Sequence, residues 1–109
     1  MSTIQLADNA VNTIVDTPQV IYSAGSRPVV IEAFTASNAS SVNASYKAYI
    51  KTSSGLLIPQ VPFTVVVWGE NDLGIGVANQ IIPAGATLQV ESSALNSIYF
   101  TVTGREITN

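Results

Sequence analysis

The chain contains no histidine and no cysteine, and it carries only four basic and seven acidic residues among 109. Without histidine, the general base that usually activates a serine nucleophile is missing. Without cysteine, a disulfide framework and a thiolate metal site are both impossible. The sequence therefore predicts a protein that is not an enzyme, with no catalytic residue, no cofactor and no metal site.

Charge is scarce in this sequence. Charged residues make up 10% of the chain and hydrophobic residues 47%, whereas an ordinary soluble domain is about 25% charged. This balance predicts that much of the folded surface contacts other proteins. The net charge is −3 and the four basic residues are dispersed, so we expect neither nucleic acid nor membrane as a direct partner. With no signal-peptide pattern and no run of about 20 apolar residues, we expect a soluble, unprocessed chain.

Hydrophobic residues recur with a period of two. Short segments rich in Val, Ile, Thr, Tyr and Phe are separated by Gly, Pro, Asn or Ser, which is typical of strands and turns. The length suits one domain of about 100 residues. We predict an all-β fold, an antiparallel β-sandwich of jelly-roll type, over residues 19–109. Its six predicted strands are 20–23, 29–37, 44–52, 63–68, 86–92 and 98–108.

In two of these predicted strands, the residue pattern bears on which face is buried and which is not. In the third, the even-numbered residues from Ala44 to Ile50 share one face, while Lys47 and Lys51 mark the wetter face. Segment 62–68 is apolar on both faces, which leaves two alternatives. It is a central strand covered on both sides, or its outer face contacts a partner. The low charge of the chain favours the second alternative.

The first 18 residues lack clean alternation. Their scattered aliphatic residues need burial somewhere, so we predict that residues 1–18 form an extended N-terminal arm that contacts a neighbouring subunit. An edge strand of the same domain is the alternative. Exposed aromatic residues also anchor interfaces. The predicted partner-binding residues are Ile4, Leu6, Val11, Ile14, Val15, Trp68 and Tyr99.

Carboxylates are the remaining candidates for chemistry. Glu70 and Asp72 lie in a glycine-bearing polar segment and offer oxygen ligands of the kind that Ca²⁺ prefers. The ligand spacing of a calcium loop is absent, so we expect a solvated loop. Glu32 and Glu106 fall inside predicted strands, where burial would require a cationic partner. Arg27 and Arg105 are the candidates for that partner. The alternative is that the two glutamates lie on outer faces and reach water or another subunit.

Three segments carry a family resemblance. Residues 21–38 place a Tyr-Ser-Ala-Gly turn before a strand that ends in Asn, residues 82–90 contain a Pro-Ala-Gly turn, and residues 102–108 form a Gly-x-Glu segment. Together, over most of residues 20–108, they resemble the small virion structural proteins of tailed bacteriophages.

The resemblance implies a structural part of a virion, assembled in the host cytoplasm. It implies above all a capsid cement or decoration protein that binds and stabilises the lattice of the major capsid protein. A small tail or baseplate component, or a receptor- or carbohydrate-binding module, is the alternative. Because a small domain with apolar outer faces gains burial by packing on its own copies, we also expect a homo-oligomer, a dimer or trimer.

Overall fold

The computed structural model describes residues 4–55 and 57–107, without the side chains of residues 57–63. This part of the chain forms nine strands. Within it, no helix is long and apolar enough to cross a membrane. The strands are β1 (Ile4–Val11), β2 (Gln19–Ser23), β3 (Val29–Asn38), β4 (Ala44–Lys51), β5 (Leu57–Val66), β6 (Asn71–Asp72), β7 (Ile81–Ile82), β8 (Thr87–Ser92) and β9 (Ile98–Glu106).

The strands form two antiparallel sheets that pack face to face. One sheet has the order β1-β9-β3-β6, with β7 also paired to β3, and the other has the order β2-β8-β4-β5. Strands from the first half of the chain pair with strands from the second half, as in one long hairpin folded over on itself. These pairs are β1 with β9, β2 with β8, β3 with β6 and β7, and β4 with β5. This strand order is that of a jelly roll. The predicted antiparallel β-sandwich is confirmed.

The core lies between the sheets and follows the alternation of the sequence. The even-numbered residues of β4 are buried, as are those of β9 from Ile98 to Gly104, and Leu88 and Val90 of β8. Three aromatic rings occupy its centre, where Phe34, Tyr46 and Phe100 have ring centroids 5.5 to 6.0 Å apart. One of these contacts is stacked, one is tilted and one is edge-on. Such aromatic pairs stabilise a core beyond the area that they bury.

A β-bulge in β3 changes which of its residues face the core. The register with β9 shifts between Ile31 and Ala33. Before the bulge Val29 and Ile31 are buried, and after it Phe34 and Ala36 are buried. An extra residue in one strand of a pair reverses the alternation in this way.

The structure corrects the predicted N-terminal arm. Residues 4–11 form β1, an edge strand of the domain paired to β9. Leu6 is only 6% exposed and Ala7 is also buried, so both belong to this domain's own core. Pairing to β9 satisfies the backbone groups of β1, and the burial of Leu6 stabilises the strand in place. Residues 12–18 connect β1 to β2, and the edge-strand alternative describes residues 4–11.

The apolar segment 62–68 lies mostly in β5, which pairs only with β4 among the described strands. The central-strand alternative is therefore wrong. Pro59 and Pro62 lie in β5 and cannot donate to a backbone ladder, which suits a sheet edge. The Val65 side chain is 62% exposed, so the outer face of β5 is uncovered at this residue in the single chain.

Candidate protein-docking surface

The jelly roll gathers four loops at one end of the sandwich, residues 12–18, 39–43, 67–70 and 93–97. Backbone hydrogen bonds tie them together. The Asp16 N–H donates to the Ser92 carbonyl and the Ala39 N–H to the Ser97 carbonyl, each at 2.9 Å. We call this set of four loops the apolar end, for the side chains that it exposes.

Asn38 holds two of these loops from inside the fold. Its buried side-chain amide donates to the carbonyls of Val42 at 2.9 Å and Val66 at 2.8 Å. Its side-chain oxygen accepts from the Ser40 N–H at 2.9 Å and from the Ser40 hydroxyl at 2.7 Å. The Asn38 backbone N–H donates to the Glu70 carbonyl at 3.0 Å. A fully paired buried amide of this kind rigidifies the loops that it joins.

The apolar end exposes large hydrophobic side chains. Six of them are between 41% and 60% exposed. They are Ile14, Val15, Val42, Val67, Trp68 and Leu95. The Trp68 backbone N–H donates to the Asn43 side chain at 3.2 Å, which positions the base of the indole. Scattered exposed aliphatics are ordinary, but a set drawn from all four loops of one end is typical of a protein-docking site.

The opposite end, made of residues 24–28, 52–55 and 83–86, has a different character. The Gly85 N–H donates to the Gly25 carbonyl at 3.0 Å, so the Ser-Ala-Gly and Pro-Ala-Gly turns of the sequence lie against each other. Arg27 is exposed in loop 24–28. Lys51 is also exposed, and it is the last residue of β4, next to loop 52–55. We call these three loops, together with the adjoining strand ends, the basic end.

Glu32 finds its partner near the basic end. Its carboxylate lies 3.2 Å from the Arg105 guanidinium. Arg105 is therefore the partner of the two candidates that the sequence offered. Both side chains are at least one-third exposed, and ion pairs of such exposure contribute little to stability.

Asp72 anchors the loop that follows the apolar end. The fully buried Tyr46 of β4 donates its hydroxyl hydrogen bond to the Asp72 carboxylate, across the two sheets. The Gly74 N–H donates to the same oxygen at 3.1 Å. Within residues 4–55 and 57–107, no group of three or more acidic side chains is placed to hold a metal ion. The geometry gives Asp72 a structural role.

The Tyr46 phenol predicts a pH dependence of stability. Burial raises the pKa of Tyr46 above its ordinary value, and the hydrogen bond and negative charge of Asp72 raise it further. In the unfolded chain this phenol loses its proton near pH 10, while the folded chain retains it. The free energy of unfolding is therefore expected to fall above about pH 10, by up to about 1.4 kcal/mol per pH unit from this group.

Denaturant titrations between neutral pH and about pH 11 measure this slope. Tyr46→Phe is expected to cost about 1 kcal/mol near neutral pH through the lost hydrogen bond, and to flatten the alkaline slope relative to the wild-type chain. Equal slopes in the two proteins would contradict the assignment.

The structure brings together three of the predicted partner-binding residues, Ile14, Val15 and Trp68, at the apolar end. Ile4 is exposed, but it lies where β1 starts, at the other end of the sandwich. Leu6 is in the core and cannot present its side chain to a partner. Val11 and Tyr99 are half-buried and lie opposite each other in the β1–β9 ladder.

Sequence reasoning missed Val42, Val67 and Leu95. Val42 and Leu95 are single aliphatic residues inside Ser- and Asn-rich turns, so periodicity does not single them out. An isolated aliphatic side chain within a polar loop is the only sequence signal that would have found them. Val67 lies inside the predicted strand 63–68, but in the structure it directly follows β5.

Nine chains of solved structures are similar to this chain, among them two from infectious bursal disease virus. No family model and no curated protein matches it. A structure of the Gx strain of infectious bursal disease virus is 12% identical, with a TM-score of 0.47. The VP2 subviral particle of infectious bursal disease virus is 11% identical, with a TM-score of 0.40. In both cases the match covers 94% of this chain and 31% of the other, so this chain spans about a third of their length.

Proposed function

We propose that this chain is a non-enzymatic structural protein of a tailed-bacteriophage virion, a capsid cement or decoration protein that binds and stabilises the lattice of the major capsid protein. The observation that carries the proposal is the apolar end, where six large hydrophobic side chains from four loops are exposed together. The sequence resemblance of residues 20–108 to small virion structural proteins supports the same role.

The way the loops are held suits a cement protein. A protein that joins neighbouring shell subunits must keep its contact residues in place under load. Asn38 ties the 39–43 and 67–70 loops together, and the Tyr46–Asp72 hydrogen bond joins the two sheets close by. Loops ordered before binding lose less conformational entropy on docking, which strengthens the contact.

The apolar surface continues along one edge of the sandwich. Val65 of β5 is exposed on its outer face, and Val67 and Trp68 follow it directly in the chain. This surface runs from the edge strand into the apolar end. Trp68 is its largest side chain, and buried tryptophans rank among the residues that contribute most to protein–protein affinity.

Trp68→Ala tests the proposal through particle binding. Purified chain is mixed with phage capsids that lack it, and binding is measured by co-sedimentation over a concentration series. Trp68→Ala is expected to weaken binding at least about tenfold, which corresponds to about 1.4 kcal/mol, because an interface anchor is lost.

The matched control for particle binding is Val20→Ala. Val20 is 53% exposed, but it lies in β2 at the opposite edge of the same sheet from β5. Its substitution is expected to leave binding unchanged. Equal binding by wild type, Trp68→Ala and Val20→Ala would contradict the assigned surface. Failure of the wild type to bind capsids, together with binding to isolated tails, would favour a tail or baseplate component.

The exposed indole of Trp68 also suits a second candidate, a carbohydrate-binding module. An aromatic face can stack against the apolar side of a sugar ring, as amphipathic aromatic side chains do at wet interfaces. Binding on a glycan array that disappears in Trp68→Ala, without capsid binding, would favour this function over the cement role.

A further inference from the structure

We propose that copies of this chain associate head to tail, with the apolar end of one copy seated on the basic end of the next. This goes beyond the proposed function, because it concerns contacts between copies of this chain. The apolar end of a given copy meets either a coat protein or another copy, so the contact between copies describes the chain before it docks on a shell. It rests on the distribution of charged and apolar side chains between the two ends.

The two ends carry opposite charge. At the apolar end the exposed charged residues are Asp16 and Glu70, both acidic. Three of the four basic residues of the chain lie at or beside the basic end, and the fourth, Lys47, lies within β4. Arg105 is ion-paired with Glu32, and the exposed Glu106 at the end of β9 offsets one further charge. Arg27 and Lys51 therefore leave the basic end with a net charge of +1. Such complementarity orients an encounter and suppresses the wrong pairings.

The basic end also offers apolar surface to receive the apolar end. Ile4 and Ile81 are 39% and 51% exposed. Ile4 is paired with Gly104 and Ile81 with Val30, so both lie where β3 starts and β9 ends. A head-to-tail contact would therefore bury hydrophobic side chains from both partners.

Charge argues against the symmetric alternative. If two apolar ends met face to face, the same patch of each copy would contact its twofold mate, since a twofold interface is self-complementary. Asp16 and Glu70 of one copy would then face acidic residues of the other, which is unfavourable. A head-to-tail interface is heterologous, and repetition of it produces a ring or an open chain of copies.

The size of the contact predicts its strength. Four strands side by side span about 15 Å and two packed sheets lie about 10 Å apart, whereas a ten-residue strand such as β3 spans about 30 Å before its loops are added. The longest of the molecule's dimensions, 45 × 28 × 21 Å, is therefore assigned to the strand direction. The cross-section of an end is then about 600 Å² per copy, below the roughly 800 Å² of a standard interface. We therefore expect a weak contact that forms at high protein concentration.

Cysteine cross-linking tests the geometry, because the chain has no cysteine of its own. Ser41 is exposed at the apolar end and Ser53 at the basic end. Ser41→Cys and Ser53→Cys carrying different mass tags are mixed at high concentration and treated with a short thiol-reactive cross-linker. Mixed pairs are expected to exceed either self-pair several-fold. The control is Ala33→Cys, an exposed position in β3, and it should give only background yield.

Charge reversal tests the driving force. One variant carries Asp16→Lys and Glu70→Lys, and the other carries Arg27→Glu and Lys51→Glu. Each variant alone presents two ends of like charge, so each should lose association about tenfold at roughly 0.01 M salt, where the Debye length is about 30 Å. An equal mixture restores complementary ends and should recover association. Circular dichroism checks that both variants remain folded.

Two outcomes would overturn the head-to-tail arrangement. One is a dominant Ser41→Cys self-pair, which would indicate the symmetric contact. The other is a chain that stays monomeric at every concentration and salt, with cross-linking at the level of the Ala33→Cys control. Neither outcome touches the capsid-binding measurement with Trp68→Ala, so the failure of this inference is distinct from failure of the proposed function.

Discussion

Gly104→Ala is expected to destabilise the domain by about 3 kcal/mol, at the upper part of the usual range for overpacked cores. A Cβ atom at this position would lie 2.2 Å from the Val30 carbonyl oxygen and 3.0 Å from the Leu6 side chain. The oxygen belongs to the backbone of β3, which is paired to β9 along its length. Relief of the contact therefore requires the sheet itself to move.

Gly25→Ala is the matched control for this prediction. A Cβ atom on Gly25 would meet nothing within 4 Å, so this substitution is expected to change stability by less than about 0.5 kcal/mol. Denaturant unfolding followed by circular dichroism measures both variants against the wild type. If Gly104→Ala and Gly25→Ala were equally stable, the close approach of β3 to β9 at Gly104 would be contradicted.

Gly74→Ala is the second substitution with a large expected effect, about 3 kcal/mol. Gly74 has a φ of +58°, and a Cβ there would lie 2.2 Å from Cδ1 of the Phe34 ring. That ring packs against Tyr46 and Phe100, so it has little room to turn aside. The cost combines backbone strain of about 1 kcal/mol with a core overpacking term of about 1–3 kcal/mol.

Gly69→Ala separates these two contributions. Gly69 also has a positive φ, +75°, but a Cβ on it would meet nothing within 4 Å. This variant is expected to show the strain alone, near 1 kcal/mol. The difference between the two variants, measured by the same denaturant titrations, then reports the contact with Phe34. A Gly74→Ala variant no less stable than Gly69→Ala would show that the ring moves freely.

The sequence predicts most of this fold because the buried faces alternate cleanly. Five of the six predicted strands have boundaries within two residues of those observed. The sixth, β5, starts six residues earlier than predicted. Its two prolines were the signal for an edge strand, and the apolar character of both faces obscured it.

The sequence predicts β1 only as the alternative to an extended arm, because its core-facing pattern is irregular. Leu6 and Ala7 are adjacent and both buried, and the register with β9 shifts on either side of Ala7. Asn9 has a positive φ of 51°, which interrupts regular alternation. β1 is held in the sheet by its pairing to β9, which lies at the far end of the sequence. The hydrophobic pattern of residues 4–11 alone therefore does not reveal the strand.

The candidate docking surface was predictable only in part. Ile14, Val15 and Trp68 attract attention as apolar residues in polar surroundings. What unites them with Val42 and Leu95 is the strand order, which brings four separate loops to one end. The separation of acidic and basic ends likewise depends on which loops the topology places together, and composition alone shows only scattered charges.

The pairing of β1 with β9 has a consequence for folding kinetics. Nearly the whole described chain lies between these partners, and β2 and β8 are almost as far apart in sequence. Closing such long loops costs chain entropy before the contacts form, so domains of this kind fold in milliseconds to seconds, slower than helical bundles of the same size. The β4–β5 hairpin is the most local of these pairings and forms at least entropic cost, so we expect β1 to join the sheet late. Until β1 pairs, the edge of β9 is open to other chains, and we expect aggregation to start from chains at that stage of folding.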